Sequence, residues 1–361
     1  MSKPVLKIRP YQATDREKVL AIYVKIWGHE KAKNLDEIWD WKYSTSLFGS
    51  RGVDRSLVAE KGGEVIGFLG TMPAMFKIHN HLCGGLWVGD FMTDLQHRGN
   101  SGIRLCKALI SENEGHVLAG HADSGGSEGA IAHKLWMKLK KTKKDAGYIS
   151  NLFKRVSIQG AVYDKCGLGA VARLIDYLWY RTRTLSFSTS LQPNFVLEEL
   201  RCFDMKEGHQ INAIVSSYQN IPLRNVEYLN WRYFKRPNTS YIVFAARNHN
   251  VLQGYIVLRC KKEMGKLNGR IVDLMVLNGD KNAARFLLAT AEHRFRTLGA
   301  RQVRAYAIKG SFVETELIRF GFSNRSVSDP AFPLLGEYTD QKFFIQHAWS
   351  ISFADSDFDM D

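Results

Sequence analysis

Between residues 86 and 112 the chain reads LWVGDFMTDLQHRGNSGIRLCKALISE: a strand-like apolar segment, a turn of small residues carrying Arg98, and apolar positions at helical spacing. A pyrophosphate would suit this order. Free N–H groups at a helix N-terminus, aligned with the helix dipole, favour a doubly charged anion. Gly99, Asn100, Ser101 and Gly102 would let the backbone approach such a group, and Arg98 adds a fixed positive charge. Ile103, Leu105, Leu109 and Ile110 are expected to fasten the helix to a sheet. The same residues also fit a tight strand-to-helix connection with no ligand. Farther on, Gly120-His121-Ala122-Asp123-Ser124-Gly125-Gly126-Ser127 follows the short apolar run HVLAG. Histidine titrates near neutrality and Asp123 could orient His121, which makes the pair a candidate general base. A glycine-rich loop with Ser127 as a helix cap is the other reading. Asp90, in the strand before the turn, is the competing base, and it suits a structural hydrogen bond equally well.

These candidates need strands and helices to hold them, and the chain supplies the set twice. Trp41-Lys42-Tyr43 precedes SLVAEKGGEVIGFLG, two alternating runs around a Gly-Gly turn. Trp231-Arg232-Tyr233 precedes YIVFAARNHNVLQGYIVLR, the same hairpin with an Asn-rich turn. A third strand follows in each, GGLWVGDFMTDL and NGRIVDLMVLN, which sets Asp90 opposite Asp273. Helical patterns SGIRLCKALISEN and NAARFLLATAEHRFRTLG come next. The aromatic triplets read as core or edge packing residues. Between the copies, residues 166–183 form a basic amphipathic pattern, read as an interdomain strut rather than a membrane-surface helix. The expected organisation is α/β. Residues 1–188 are one unit, 189–352 a second, and 353–361 an acidic disordered tail.

A chain of 361 residues can bury two cores. Its five scattered cysteines lack zinc spacing and read as reduced thiols of a cytoplasmic protein, and no metal is expected. No apolar run is long enough for a signal peptide or a membrane span. The formal charge of +14 favours an anionic partner. The densest basic run, Lys138 to Lys144, has no interleaved aromatics, so nucleic acid is not the favoured partner. Oligomeric state is not legible.

Gln96-His97-Arg98-Gly99-Asn100-Ser101, with the helix leucines after it, resembles the Gln/Arg-x-x-Gly-x-Gly/Ala signature of the GCN5-related N-acetyltransferase (GNAT) family. The repeat, with Asn230-Trp231-Arg232-Tyr233 opening its second copy, is similar to two-unit members of polysaccharide and amino-sugar pathways. The resemblance implies two tandem GNAT-like units, each a mixed, mostly antiparallel twisted sheet flanked by helices. It implies an acyl-CoA-dependent N-acyltransferase, with acetyl-CoA or another acyl-CoA as co-substrate. The acceptor would be a small amine: an amino sugar, a nucleotide-linked amino sugar or an amino-acid-like metabolite. Phe91, Met92 and Thr93 would pair with the pantetheine arm, and Arg98 through Ile103 would cradle the pyrophosphate. The N–H of Met92 or Thr93 would stabilise the oxyanion.

The chain departs from the family pattern in places. Ser101 stands where Gly or Ala is usual, and its hydroxyl would either bond a phosphate or crowd it. The Ala-x-x-Leu-Tyr pattern is Ala132-His133-Lys134-Leu135-Trp136, so the tyrosine that protonates the thiolate is missing. The second copy, LNGDKNAARFLL, lacks the arginine and brings Asp280, so it is expected not to bind coenzyme A but to wall the acceptor side. Two rival readings remain: an acyl donor carried by an acidic carrier protein or an aminoacyl-tRNA, and a non-catalytic scaffold that keeps the fold.

Overall fold

The computed structural model describes residues 4–44, 55–97, 99–120, 128–139, 145–184, 195–324, 331–332, 345, 348–356 and 359, with backbone alone for 128–133, 183, 184, 331 and 332. The first half runs β1 (Leu6–Pro10), α1 (Arg16–Trp27), α2 (His29–Trp39), β2 (Leu57–Lys61), β3 (Glu64–Ile78), β4 (His81–Thr93), α3 (Asn100–Glu112), β5 (Val117–Ala119), α4 (Glu128–Leu139), β6 (Gly147–Arg155), α5 (Gln159–Cys166) and α6 (Gly169–Thr184). The second runs β7 (Val196–Leu200), α7 (Gly208–Ser216), β8 (Asn220–Pro222), α8 (Val226–Phe234), β9 (Ile242–Asn248), β10 (Val251–Glu263), β11 (Lys266–Val276), α9 (Lys281–Thr297), β12 (Gln302–Ile308), α10 (Phe312–Arg319), β13 (Ser323–Asn324) and β14 (Ala331–Phe332).

Both hairpins form where the turn chemistry demands. Gly62 and Gly63 take φ of 64° and 85°, and His249 and Asn250 take 47° and 65°, the left-handed pair that a two-residue hairpin needs. The strands build two mostly antiparallel sheets. One has the order β1-β2-β3-β4-β5, the other β13-β6-β12-β11-β10-β9-β7. Among the described strands each contains one parallel pair, β4 with β5 and β11 with β12.

Three apolar layers hold the sheets. Leu105, Cys106, Leu109 and Trp136 from α3 and α4 pack on one face of the first sheet. Leu287, Leu288, Phe295 and Leu317 from α9 and α10 cover one face of the second. Between them lies a layer shared by both halves, running from Trp39, Trp41, Tyr43 and Phe68 to Trp231, Tyr233 and Tyr255. With both faces covered, β3 is buried almost throughout and reads as a continuous apolar run rather than an alternating one.

The sheets divide the chain differently from the expected boundary at 188/189. β6 lies between β12 and β13 of the second sheet, and β8 pairs with β3 of the first. β5, three residues long, offers little edge to a nine-residue strand. β12 instead matches β6 from Gln302–Arg155 through to Ile308–Ile149. The helix read as a strut is docked by Asp176, which bonds the Ile158 N–H at 2.6 Å and pairs with Arg296 at 2.9 Å.

The acidic end is a correction. Residues 353–356 and Asp359 are ordered and buried rather than a solvated tail. Their carboxylates find cations inside. Asp355 accepts from Arg224 at 2.7 Å and from the Ser352 N–H at 2.9 Å, although burial still pushes it above the ordinary carboxylate range.

Candidate functional site

The site is built on an irregularity in β4. Asp90 and Phe91 together face Leu69 alone, between the pairs Gly70–Gly89 and Phe68–Met92. Asp90 takes φ 43°, a left-handed conformation that a short polar residue tolerates better than most. β5 pairs with β4 only over Gly85–Trp87, so from Val88 to Thr93 the other edge of β4 has no strand partner among the described residues. A strand edge with unspent N–H and C=O groups can take an extended ligand as an added strand.

Beyond that edge stands the N-terminus of α3. Its N-cap is Gly99, φ 106°, with no side-chain cap. Among the described residues no side chain caps the amides of the first turn, which leaves them to face an anion. Gly102 brings the helix close: a Cβ there would stand 3.1 Å from Phe91 Cζ. Leu105 and Leu109 bind the helix to the sheet, as expected. Ile103 departs from expectation. Its side chain is 36% exposed and its N–H is spent on Gly99 O at 3.2 Å, as in any helix interior. The buried Ser101 hydroxyl donates back to His97 O at 2.5 Å, so it neither crowds the turn nor reaches out of it. Arg98, His121 and Asp123 lie outside the described residues, as does the basic run from Lys140 to Lys144.

Asp90 is held from the other side of the sheet. Lys42 forms an ion pair with it, and the Tyr43 hydroxyl donates to the same Oδ2. Gly70 makes room, because a Cβ there would fall 2.6 Å from the Tyr43 hydroxyl. The aromatic positions of both triplets are buried and meet across the halves: Trp41 stacks on Trp231 at 4.6 Å and donates to its carbonyl at 3.2 Å. Sequence reasoning missed Lys42 and Tyr43 as partners of Asp90. The signal was the repeat itself, since each copy couples a triplet to an aspartate at the matching strand position. In the second copy Tyr233 donates to Asp273 at 3.0 Å.

No protein-family profile matches the chain, and no curated protein matches it in sequence. Solved structures do match in fold. A GCN5-related N-acetyltransferase from Anabaena variabilis aligns over 92% of this chain and 73% of its own, with TM-score 0.57 and 13% identity. A probable N-acyltransferase from Enterococcus faecalis gives TM-score 0.59 at 8% identity, over 92% of this chain and 73% of its own. The N-myristoyltransferase of Saccharomyces cerevisiae, solved with bound myristoyl-CoA, covers 97% and 91% with TM-score 0.56 and 8% identity. The fold is that of the GCN5-related N-acetyltransferases.

Two departures from the GNAT pattern acquire a physical meaning. Trp136 is buried among Leu105, Leu109 and Leu118, with its ring 6.4 Å from Phe91, so the position of the usual tyrosine is a packing position here. In the second GNAT-like half, Asp280 is the N-cap of α9 and accepts from the Asn282 and Ala283 amides at 2.8 and 3.1 Å. The groups that are open at α3 are closed at α9 by a carboxylate. Among the described residues, no helix is long and apolar enough to cross a membrane.

Proposed function

We propose that this protein is an acyl-CoA-dependent N-acyltransferase that acetylates a small amine, such as an amino sugar, a nucleotide-linked amino sugar or an amino-acid-like metabolite. The observation that carries the reading is the uncapped N-terminus of α3 beside the unpaired edge of β4, within the acyltransferase fold. In this reading the amides of Gly99, Asn100, Ser101 and Gly102, with Arg98, receive the pyrophosphate of coenzyme A. Phe91, Met92 and Thr93 receive the pantetheine arm as an added strand.

The chemistry is then a matter of position. The acceptor nitrogen attacks the thioester carbonyl, forming a C–N bond. An N–H of the open β4 edge stabilises the oxyanion, the C–S bond breaks, and coenzyme A leaves as a thiolate that takes up the amine's proton through solvent. Trp136 supplies no proton, and a thiol is a fair leaving group without help. Asp90, anchored by Lys42 and Tyr43, keeps the β4 irregularity in place next to the thioester. His121 and Asp123 are the proposed acceptor-side pair.

Release of free thiol from acetyl-CoA, measured across a panel of amines, tests the proposal. Amine-dependent release is expected. Tight acetyl-CoA binding without release on any amine would instead identify a scaffold, and no binding at millimolar acetyl-CoA would defeat the reading altogether.

A further inference from the structure

The second half carries a concentration of buried positive charge that the acyltransferase reading does not use. Arg259 of β10 stands directly opposite Arg270 of β11, and Arg270 is in turn registered with Arg304 of β12. Like charges at facing positions of neighbouring strands repel, so such a row requires an anion. One is present. The Asp359 carboxylate lies 3.0 Å from Arg259 Nη1, 3.3 Å from Arg270 Nη1 and 3.4 Å from Arg236 Nη1, and it accepts from the Tyr241 hydroxyl at 2.7 Å. Glu263 adds a second carboxylate at the rim, 3.2 Å from Arg270.

Arg232 is fully buried, and among the described residues none of its three guanidinium nitrogens has a hydrogen-bond partner. Its guanidinium and that of Arg236 both lie 5.5 Å from the Trp41 ring, which makes them part of one cluster. Burial pushes Arg236 below the ordinary arginine range, and the neighbouring Arg232 and Arg259 add to the effect. A buried guanidinium with five donors and no acceptor is a costly arrangement that a multivalent anion relieves. The planar fork of arginine fits phosphate oxygens two at a time.

We propose that Arg232, Arg236, Arg259 and Arg270 form an anion site that takes a phosphate group of an external ligand, and that Asp359 occupies this site as a displaceable internal carboxylate. The proposal does not depend on acyl-CoA binding, because its readout is anion binding by the second half of the fold.

The test uses the full chain, the variant Asp359→Ala and the double variant with Arg259→Gln. Each is titrated with inorganic phosphate by calorimetry and melted in phosphate and in sodium chloride of equal ionic strength. Asp359→Ala is expected to bind one phosphate at least tenfold more tightly than the unaltered chain, and to regain in phosphate the melting temperature it loses in chloride. Adding Arg259→Gln is expected to cancel both effects. Should Asp359→Ala fail to fold, Asp359→Asn keeps the volume, removes the charge and carries the same expectation. Equal phosphate affinity in the variant and the unaltered chain, or equal melting in the two salts, would mean a purely structural ion cluster and overturn the proposal. Binding of malonate with no binding of phosphate would overturn the ligand class.

Discussion

The two halves of the molecule place an aspartate at the same point of the same strand and use it differently. Asp273 is 2% exposed and surrounded: Arg224, Tyr233 and Tyr255 reach its Oδ2 at 2.8, 3.0 and 3.2 Å, and Ser352 reaches Oδ1 at 3.0 Å. Asp90 has Lys42 and Tyr43 on one oxygen and lies in an irregular strand whose outer edge is open. The helix that follows repeats the contrast, capped by Asp280 in one half and uncapped at Gly99 in the other. A duplicated fold has thus kept one cleft open and filled the equivalent place in its partner with ion pairs and hydrogen bonds.

The contrast is sharpest under substitution. Asp273→Asn removes one of the two buried carboxylates paired with Arg224, the other being Asp355, and should cost about 3 kcal/mol of folding stability, read by denaturant unfolding. The acyl-CoA affinity of the molecules that remain folded should be unchanged. Asp90→Asn should lower turnover at saturating acyl-CoA on the order of 10²-fold, because the reacting groups lose their register. Equal loss of turnover in both variants would erase the distinction between the halves. Asn100→Asp brings to the open helix the charge that closes the other, and should weaken acyl-CoA binding by about 0.7–2 kcal/mol in a calorimetric titration. Asp280→Ala removes a cap and should lower stability by about 1 kcal/mol, with no gain of a second binding site.

A smaller effect concerns pH. The hydrogen bonds from Arg9, at 2.6 and 2.9 Å, hold Asp15 below the usual carboxylate range against the opposing effect of burial. A depressed folded-state value means the contribution is complete above the unfolded value of about 3.9 and is lost as pH falls through the folded one. Asp15→Asn should therefore flatten the stability profile below about pH 4 and leave its slope near neutrality unchanged. An unchanged acid limb would remove Asp15 from the account.

Much of this was legible in the sequence because it is local. The Gly-Gly and Asn-rich turns, the repeat, the helix after the small-residue turn and the charge of Asp280 are all set by neighbours in the chain. What escaped depends on distant partners. Nothing near β6 says that β12 will offer it a longer edge than β5. The spacing of Asp355 and Asp359 looks like a solvated tail until Arg224, Arg236, Arg259 and Arg270 are seen to face them. Lys42 and Tyr43 were read as packing residues because their common acceptor, Asp90, lies nearly fifty positions away. Ile103 was assigned to the sheet from its type, whereas the helix phase is fixed by Ser101, Gly102, Leu105, Cys106 and Leu109.

The central claim is that one half binds acyl-CoA and the other does not. Calorimetric titration of the full chain with acetyl-CoA tests it most directly. One molecule bound per chain is predicted, weakened by Asn100→Asp and unaffected by Asp280→Asn. Two molecules per chain, or a single site lost in Asp280→Asn and retained in Asn100→Asp, would contradict it.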